Sequence, residues 1–573
     1  MSLGMRGFCT FALLIGLAVD GTAQVRDNAA AATGSASIAG TIVTDAEPPR
    51  PVRRALVSIT TVDRVVDKTI VTDDNGRFVV GGLPAGRYNV SASKRGWVSA
   101  SYGSKGPGRP GTTVALENGQ RVNNVSIRLP RGAVISGTLL DESGQAPPGA
   151  TIRAMRYTYF SGERRLSWAG GFASLNERGQ YRVYGLSPGE YYVVATVGTG
   201  GPFRPTSDLH LTSDVDVEQA MRAVQQGAAA PVPDVPQRSV SLVPVYYPGV
   251  NNTAQASPIT LQAGEERTGV DFVMPYVGSA HIDGTVTTPD GTPATNTTVT
   301  MVNADVNAAG LGFDAVRTSR TDPQGKFSFA GVTPGSYLLN GRTPMGWVDT
   351  QVDVQGEDIR GLALAMQETF TVSGSLRFDG TAAVPGMANV RLSLVSQPTP
   401  GGVTISATSS TTAGADGQFT FKGVAPGRYH LTAYLPSPRP TWTVRSSTLG
   451  AQDALDAFAD VRQALTDAAI VFTDQLAELN GHATPDTTVI LFTTNQSQWS
   501  QQPRRLLTAR VASDGSFVFR TVPPGEYHVA LVDEIQPGQW NDPAYLQTLV
   551  PSATKISITE GEKKTVDLRA SGG

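Results

Sequence analysis

The stretch GRFVVGGLPAGRY, residues 76–88, returns as GQYRVYGLSPGEY (179–191), GKFSFAGVTPGSY (325–337), GQFTFKGVAPGRY (417–429) and GSFVFRTVPPGEY (515–527). In every copy a Gly is followed two residues later by Phe or Tyr, five later by Leu or Val, three later by Gly and two later by Tyr. The spacing holds without an insertion, so the chain carries five related units.

Inside the first copy the alternation has period 2. Phe78 and Val80, then Tyr88, Val90 and Ala92, share one face, and Arg87 and Asn89 take the other. That is the pattern of half-buried antiparallel strands. Asn75-Gly76, Asp416-Gly417 and Asp514-Gly515 tolerate positive φ before the first strand. Pro188-Gly189, Pro334-Gly335, Pro426-Gly427 and Pro524-Gly525 form the turn before the second. The motif therefore predicts a hairpin pinned at both ends, with its tyrosine packed inward as a tyrosine corner.

The motif tyrosines Tyr88, Tyr191, Tyr337, Tyr429 and Tyr527 lie 103, 146, 92 and 98 residues apart. Units of roughly 100 residues are the size of small sandwiches that bury their own cores. The 62 glycines and 38 prolines of the 573 residues suit a turn-rich all-β chain and fall short of low complexity. After each unit a closing strand runs almost directly into an opening strand that carries a Gly: AVISGTLLDESG (133–144), SAHIDGTVTTPDG (279–291), FTVSGSLRFDG (370–380) and AELNGHA (477–483). Joints this short predict a semi-rigid rod or curved array with contacts between neighbours.

The N-terminus has Arg6, an apolar run from Phe8 to Val19, and Gly21 and Ala23 before Gln24. It reads as a signal peptide over 1–23, which places the mature chain outside the cytoplasm, in the periplasm or secreted, with no second apolar run to span a membrane. The single cysteine, Cys9, lies inside that run, which leaves the mature chain no disulfide or thiol site. A net charge of −3 with 17% charged residues provides no electrostatic footprint for nucleic acid or an anionic membrane.

The expected divisions are sandwiches over 34–130, 131–276, 277–367, 368–474 and 475–573. The second carries an insertion at 199–240, where VEQAMRAVQQG suits a short helix. The fourth carries AQDALDAFADVRQAL (451–465), whose Leu455, Phe458, Val461 and Leu465 fall at helical spacing and predict a core-packed helix.

The G-x-F/Y strand, the P-G-x-Y turn and the opening strand resemble the carboxypeptidase regulatory-like domain. The match runs through VISGTLLDESGQAPPGATI (134–152) and NERGQYRVYGLSPGEYYV (176–193). The resemblance implies an all-β chain: a tandem array of five transthyretin-like Greek-key β-sandwiches, Cna-B-like and related to carbohydrate-binding-like folds, with minor helical insertions. It also implies an accessory rather than a catalytic role, because nothing here is similar to the zinc-bearing domain beside which the family's members sit in metallocarboxypeptidases. The fifth unit lacks the D-x-x-G turn after its opening strand, and the third has TPDGTPATNTTV there.

Catalytic and metal chemistry find no support in the motifs. His210, His281, His430, His482 and His528 have no second His or Glu at HExxH or HxxE spacing. His430 and His528 follow motif tyrosines and are expected on the outer face. The sequence has no G-x-S-x-G elbow and no Gly-rich loop entering a helix. DDNG (73–76), DPQG (322–325) and ADG (415–417) read as turns, since they lack the alternating ligands of a calcium loop. With no lysine between Lys105 and Lys326, the second unit cannot form a Lys–Asn cross-link.

One constellation is left. Trp97, Trp347, Trp442 and Trp540 lie nine to thirteen residues past a motif tyrosine, and the second unit has Tyr246-Tyr247 instead. Aromatics on sandwich loops stack on sugar faces when exposed, and anchor loops or joints when buried. The expectation is a non-catalytic binding protein without cofactor or metal, for glycan or a cell-envelope polymer. The alternative is a structural spacer, or a scaffold for another envelope protein.

Overall fold

The computed structural model describes residues 34–568 apart from 62–65, 108, 110, 161–162, 198–208, 211–213, 227–238, 305–315, 388–389, 398–407, 436–440, 500–502, 534 and 537. The leader expected at 1–23, with Cys9, and much of 199–240 lie outside the described residues.

Five sandwiches follow one another, each with its own apolar core. In the first, Ala36–Thr44 has Arg77–Leu83 antiparallel on one side and Arg121–Leu129 parallel on the other. The facing sheet sets Leu56–Thr61 between Asp67–Val71 and Gly86–Ser93. Ala133–Leu140, Ala280–Thr287, Phe370–Asp379 and Ala477–His482 open the other four on the same plan, each beside a parallel closing strand.

The repeated motif is not the hairpin its periodicity predicts. Arg77–Leu83 pairs with the opening strand, whereas Gly86–Ser93 pairs in the facing sheet. The other four copies divide in the same way. The Pro-Gly turn is thus a corner that carries the chain from one sheet to the other. Period 2 marks a buried face without saying which sheet it belongs to. A corner sends Phe78 and Tyr88 into one core from opposite walls, where both are buried.

Each corner is fastened by its tyrosine. The hydroxyls of Tyr88, Tyr191, Tyr337, Tyr429 and Tyr527 donate to the carbonyls of Pro84, Ser187, Thr333, Ala425 and Pro523 at 2.7, 2.7, 2.9, 2.8 and 2.7 Å. A bond of this kind contributes about 1 kcal/mol net.

The glycine of each opening strand has an equally repeated cause. Gly40, Gly137, Gly284, Gly374 and Gly481 stand directly across from the motif aromatics Phe78, Tyr181, Phe327, Phe419 and Phe517. A Cβ there would lie 1.9, 2.0, 2.4, 1.8 and 1.9 Å from a carbonyl oxygen of the closing strand. Only glycine lets the two parallel backbones approach so closely.

Two segments depart from the repeat. The 199–240 insertion contains the helix Asp214–Gln225, and its return strand Ser239–Leu242 pairs with Leu209–His210 and with Tyr276–Gly278 at the following joint. The helix expected over 451–465 does not form. Gln452–Asp453 pairs with Thr443–Leu449, and Ala459–Val461 adds to the sheet edge at Gly427–Tyr434. Phe458 and Val461 are buried by that ladder, which overrides a weak local helical pattern.

Neighbouring sandwiches are in contact at their joints. Between the fourth and fifth, Asp456 accepts from Arg504 Nη1 at 2.9 Å and Arg505 Nη2 at 2.8 Å, and Arg505 also bonds Pro524 O and Tyr527 OH of the fifth corner. The first sandwich meets the fifth as well. Ser513 N donates to Thr113 O at 3.2 Å, Arg510 Nε to Gly111 O at 3.2 Å and Arg87 Nη2 to Ser516 Oγ at 2.5 Å, while the Thr112 hydroxyl bonds Asp486. The array therefore curves far enough to bring its ends together and is not an extended rod.

Candidate ligand-binding cleft

Most of the aromatics singled out by spacing serve the cores. Trp442 is buried, with Nε1 bonding Ala383 O at 3.1 Å and its ring edge-on to Phe378. Tyr246 is buried in a small cluster with Met155, Leu166 and Val194. Neither can stack on a ligand, which corrects the expectation for both. Tyr247 packs edge-on to Phe272, Trp540 lies half-buried on the apolar cluster around Phe492, and Trp347 is half-buried beside Arg342. Trp347 lies in the strand Gly346–Val354 and Trp540 in a single helical turn, Gln539–Asn541, so neither is a free loop ring.

Trp97, partly buried against the first core, is set apart by where the joint puts it. Trp97 N donates to Lys94 O in a tight turn, and Trp97 bridges to Arg131. Val98 N and Gly132 N donate to Pro130 O and Gly96 O, so the turn is tied to the linker between the first two sandwiches. It overhangs the edge of the second sandwich, where Gly132 packs against Gly185.

Beneath it opens a cleft of about 1110 Å³. One wall is the Lys94–Trp97 turn, and the other is the strand Glu163–Ser174, which carries Trp168 and Phe172. These two rings are 60% and 61% exposed, an unusual state for large aromatics. A bulge explains it. Phe172 pairs with Arg153 and Trp168 with Met155, leaving three residues opposite one, and Gly170 and Gly171 take φ of +79° and +75°. Trp168 Nε1 reaches back to Gly171 O at 3.4 Å.

Polar groups complete the cleft. Arg95 Nε donates to Tyr184 OH at 2.6 Å, Asn176 Nδ2 to Gln180 Oε1 at 3.0 Å, and Asp271 Oδ1 accepts from Thr138 N at 2.7 Å. The floor is firm. Tyr181 is buried with its hydroxyl on Val270 O at 2.5 Å, and that burial pushes its pKa well above the ordinary tyrosine value. Sequence spacing missed Trp168 and Phe172 because they sit before the motif, on a strand; the signal was the Trp-Ala-Gly-Gly-Phe run at 168–172, with two glycines splitting two aromatics.

The remaining titratable groups are dispersed. His430, expected to face outward, is buried. Its ring lies 3.7 Å from that of Phe458, with Nδ1 at 3.1 Å from Ala454 O, and burial holds its pKa below the usual histidine value. The outer face of that strand is covered by the segment 451–465. Among the described residues no three His, Cys, Asp or Glu come together as a metal site. In the Asp turns, Asp73 Oδ1 accepts from Asn75 N and Arg77 N, and Asp322 Oδ1 from Gln324 N and Lys326 N.

Comparison with known proteins follows the fold. The carboxypeptidase regulatory-like domain matches residues 37–130 and 281–367, and the second β-sandwich domain of the BOS complex subunit NOMO1-like family matches 368–454. Among solved structures, a proposed carbohydrate binding protein of Pseudomonas aeruginosa is 19% identical, covering 16% of this chain and 89% of its own, with a TM-score of 0.14. A streptococcal ancillary pilin is 10% identical over 60% and 99%, with a TM-score of 0.20. The major pilin subunit BcpA of Bacillus cereus is 11% identical over 58% and 99%, with a TM-score of 0.14. Likeness at these levels carries nothing about function. No curated protein matches the chain. The chain is a tandem β-sandwich protein, of which residues 37–130 and 281–367 match the carboxypeptidase regulatory-like domain.

Proposed function

We propose that the chain is a non-catalytic glycan-binding protein of the extracytoplasmic space and that the cleft between the first two sandwiches is its binding site. The observation that carries this reading is the pair of exposed rings, Trp168 and Phe172, beside hydrogen-bonding groups on a firm floor. Flat apolar rings take the C–H faces of sugars, and Asn176, Gln180 and Arg95 offer partners for hydroxyls. A spacer role fits less well, because contact between the first and fifth sandwiches shortens the array rather than extending it.

The test is a glycan array on the mature chain, followed by calorimetric titration of the best ligand. Trp168→Ala with Phe172→Ala is expected to weaken binding at least about tenfold, a loss of about 1.4 kcal/mol. Trp347→Ala, away from the cleft, is expected to leave affinity unchanged. Equal affinity in the double variant and the parent sinks the proposal.

A further inference from the structure

The charge of the cleft narrows the ligand class. Lys94, Arg95 and Arg182 line it against the carboxylate of Asp271 alone. Asp271 is engaged by the Thr138 amide. Lys94 Nζ donates one proton to Arg53 O at 2.7 Å and has two more to give. Arg95 is steadied by Tyr184, with its guanidinium 5.3 Å from the ring centre and only Nε used in the bond to the hydroxyl. Arg182 is paired with Glu266 at 3.2 Å, but both side chains are 52% exposed. Such a surface pair is worth about 0–1 kcal/mol and exchanges readily for another carboxylate.

The surroundings have the same sign. Residues 150–185, which supply the strand carrying Trp168 and Phe172, contain six arginines and two glutamates in a chain whose net charge is −3. At about 1110 Å³ the open cleft stands near the top of the ~300–1,000 Å³ range of ligand pockets, room for more than one sugar ring.

We propose that the cleft binds an acidic polysaccharide with carboxylates on its sugar rings. Trp168 and Phe172 lie under ring faces, while Lys94, Arg95 and Arg182 hold the carboxylates. This rests on the glycan reading above.

The test titrates the mature chain with polygalacturonate, alginate and hyaluronan, and with fully methyl-esterified polygalacturonate, which keeps the backbone and removes its charge. Binding to at least one acidic polymer is expected. For polygalacturonate, esterification should weaken it at least about tenfold, added salt should weaken it steadily, and Lys94→Gln with Arg95→Gln should weaken it at least about tenfold. Thermal unfolding of this double variant is expected to match the parent, which separates lost binding from lost folding. Binding to none of the acidic polymers overturns the proposal. So does equal binding to esterified and unesterified polymer; if that binding still depends on Trp168, the glycan reading stands and only the acidic one falls. Polyanion binding that ignores Trp168→Ala with Phe172→Ala but follows the charges also overturns it, as non-specific attraction.

Discussion

Gly374→Ala is expected to unfold the fourth sandwich well below its neighbours' melting temperature. The new methyl would sit 1.8 Å from the Ala468 carbonyl oxygen, and the next nearest atoms are the backbone carbon and Cα of the same residue, so no side chain can swing aside. Overpacked cores cost about 1–3 kcal/mol where side chains can adjust, and more where backbone must move. We take more than about 3 kcal/mol, against the ~5–15 kcal/mol that holds a domain of this size. A loss of that size lowers one transition by about 12 °C or more at roughly 4–8 °C per kcal/mol. Scanning calorimetry of the whole chain checks this, with Gly81→Ala as control, since a Cβ at Gly81 meets nothing within 4 Å. A thermogram for Gly374→Ala that superimposes on the parent would refute the close-approach argument.

Asp456→Ala is expected to uncouple the fourth sandwich from the fifth. It strands two guanidiniums that are 24% and 20% exposed, while Asp456 itself is 13% exposed. Breaking a buried pair in this way costs about 3–5 kcal/mol, and the residual exposure of the arginines favours the lower figure. The pair also predicts acid sensitivity. Burial pushes the Asp456 carboxyl up, but Arg505 and Arg504 outweigh it and hold its pKa below the ordinary carboxylate value. The folded value is therefore the lower one. The stabilisation is complete above the unfolded value of ~3.9 and is lost as pH falls through the folded value. Limited proteolysis at the joint across pH 2–6 reads this out: the parent should open only in acid, and Asp456→Ala should be open throughout.

The repeat spacing told more about cores than about connections. It identified Tyr88 and its four counterparts as corner tyrosines, which they are. Yet the motif was legible only as two inward-facing strands, because alternation is the same within one sheet and across two. The segment 451–465 misled for a related reason. Its apolar spacing suits a helix, but Gly427–Tyr434 leaves a sheet edge that Ala459–Val461 fills, and the hydrogen bonds of that ladder decide. The cleft was the least legible part. Trp97 could be counted from the motif, whereas Trp168 owes its exposure to a bulge and its place in a cleft to a turn from the neighbouring sandwich, neither of which has a spacing of its own.

The parallel pairing of opening and closing strands bears on how the chain carries tension. The chain enters each sandwich at one end of this pair and leaves at the other, so a pull on the termini slides the two strands past each other. The ladder bonds are then loaded together rather than unzipped singly. The ladders differ in length: seven registered pairs in the first and fourth sandwiches and five in the third. Among these three, single-molecule stretching should find the third yielding before the first and fourth. Release in the reverse order would show that the load passes elsewhere.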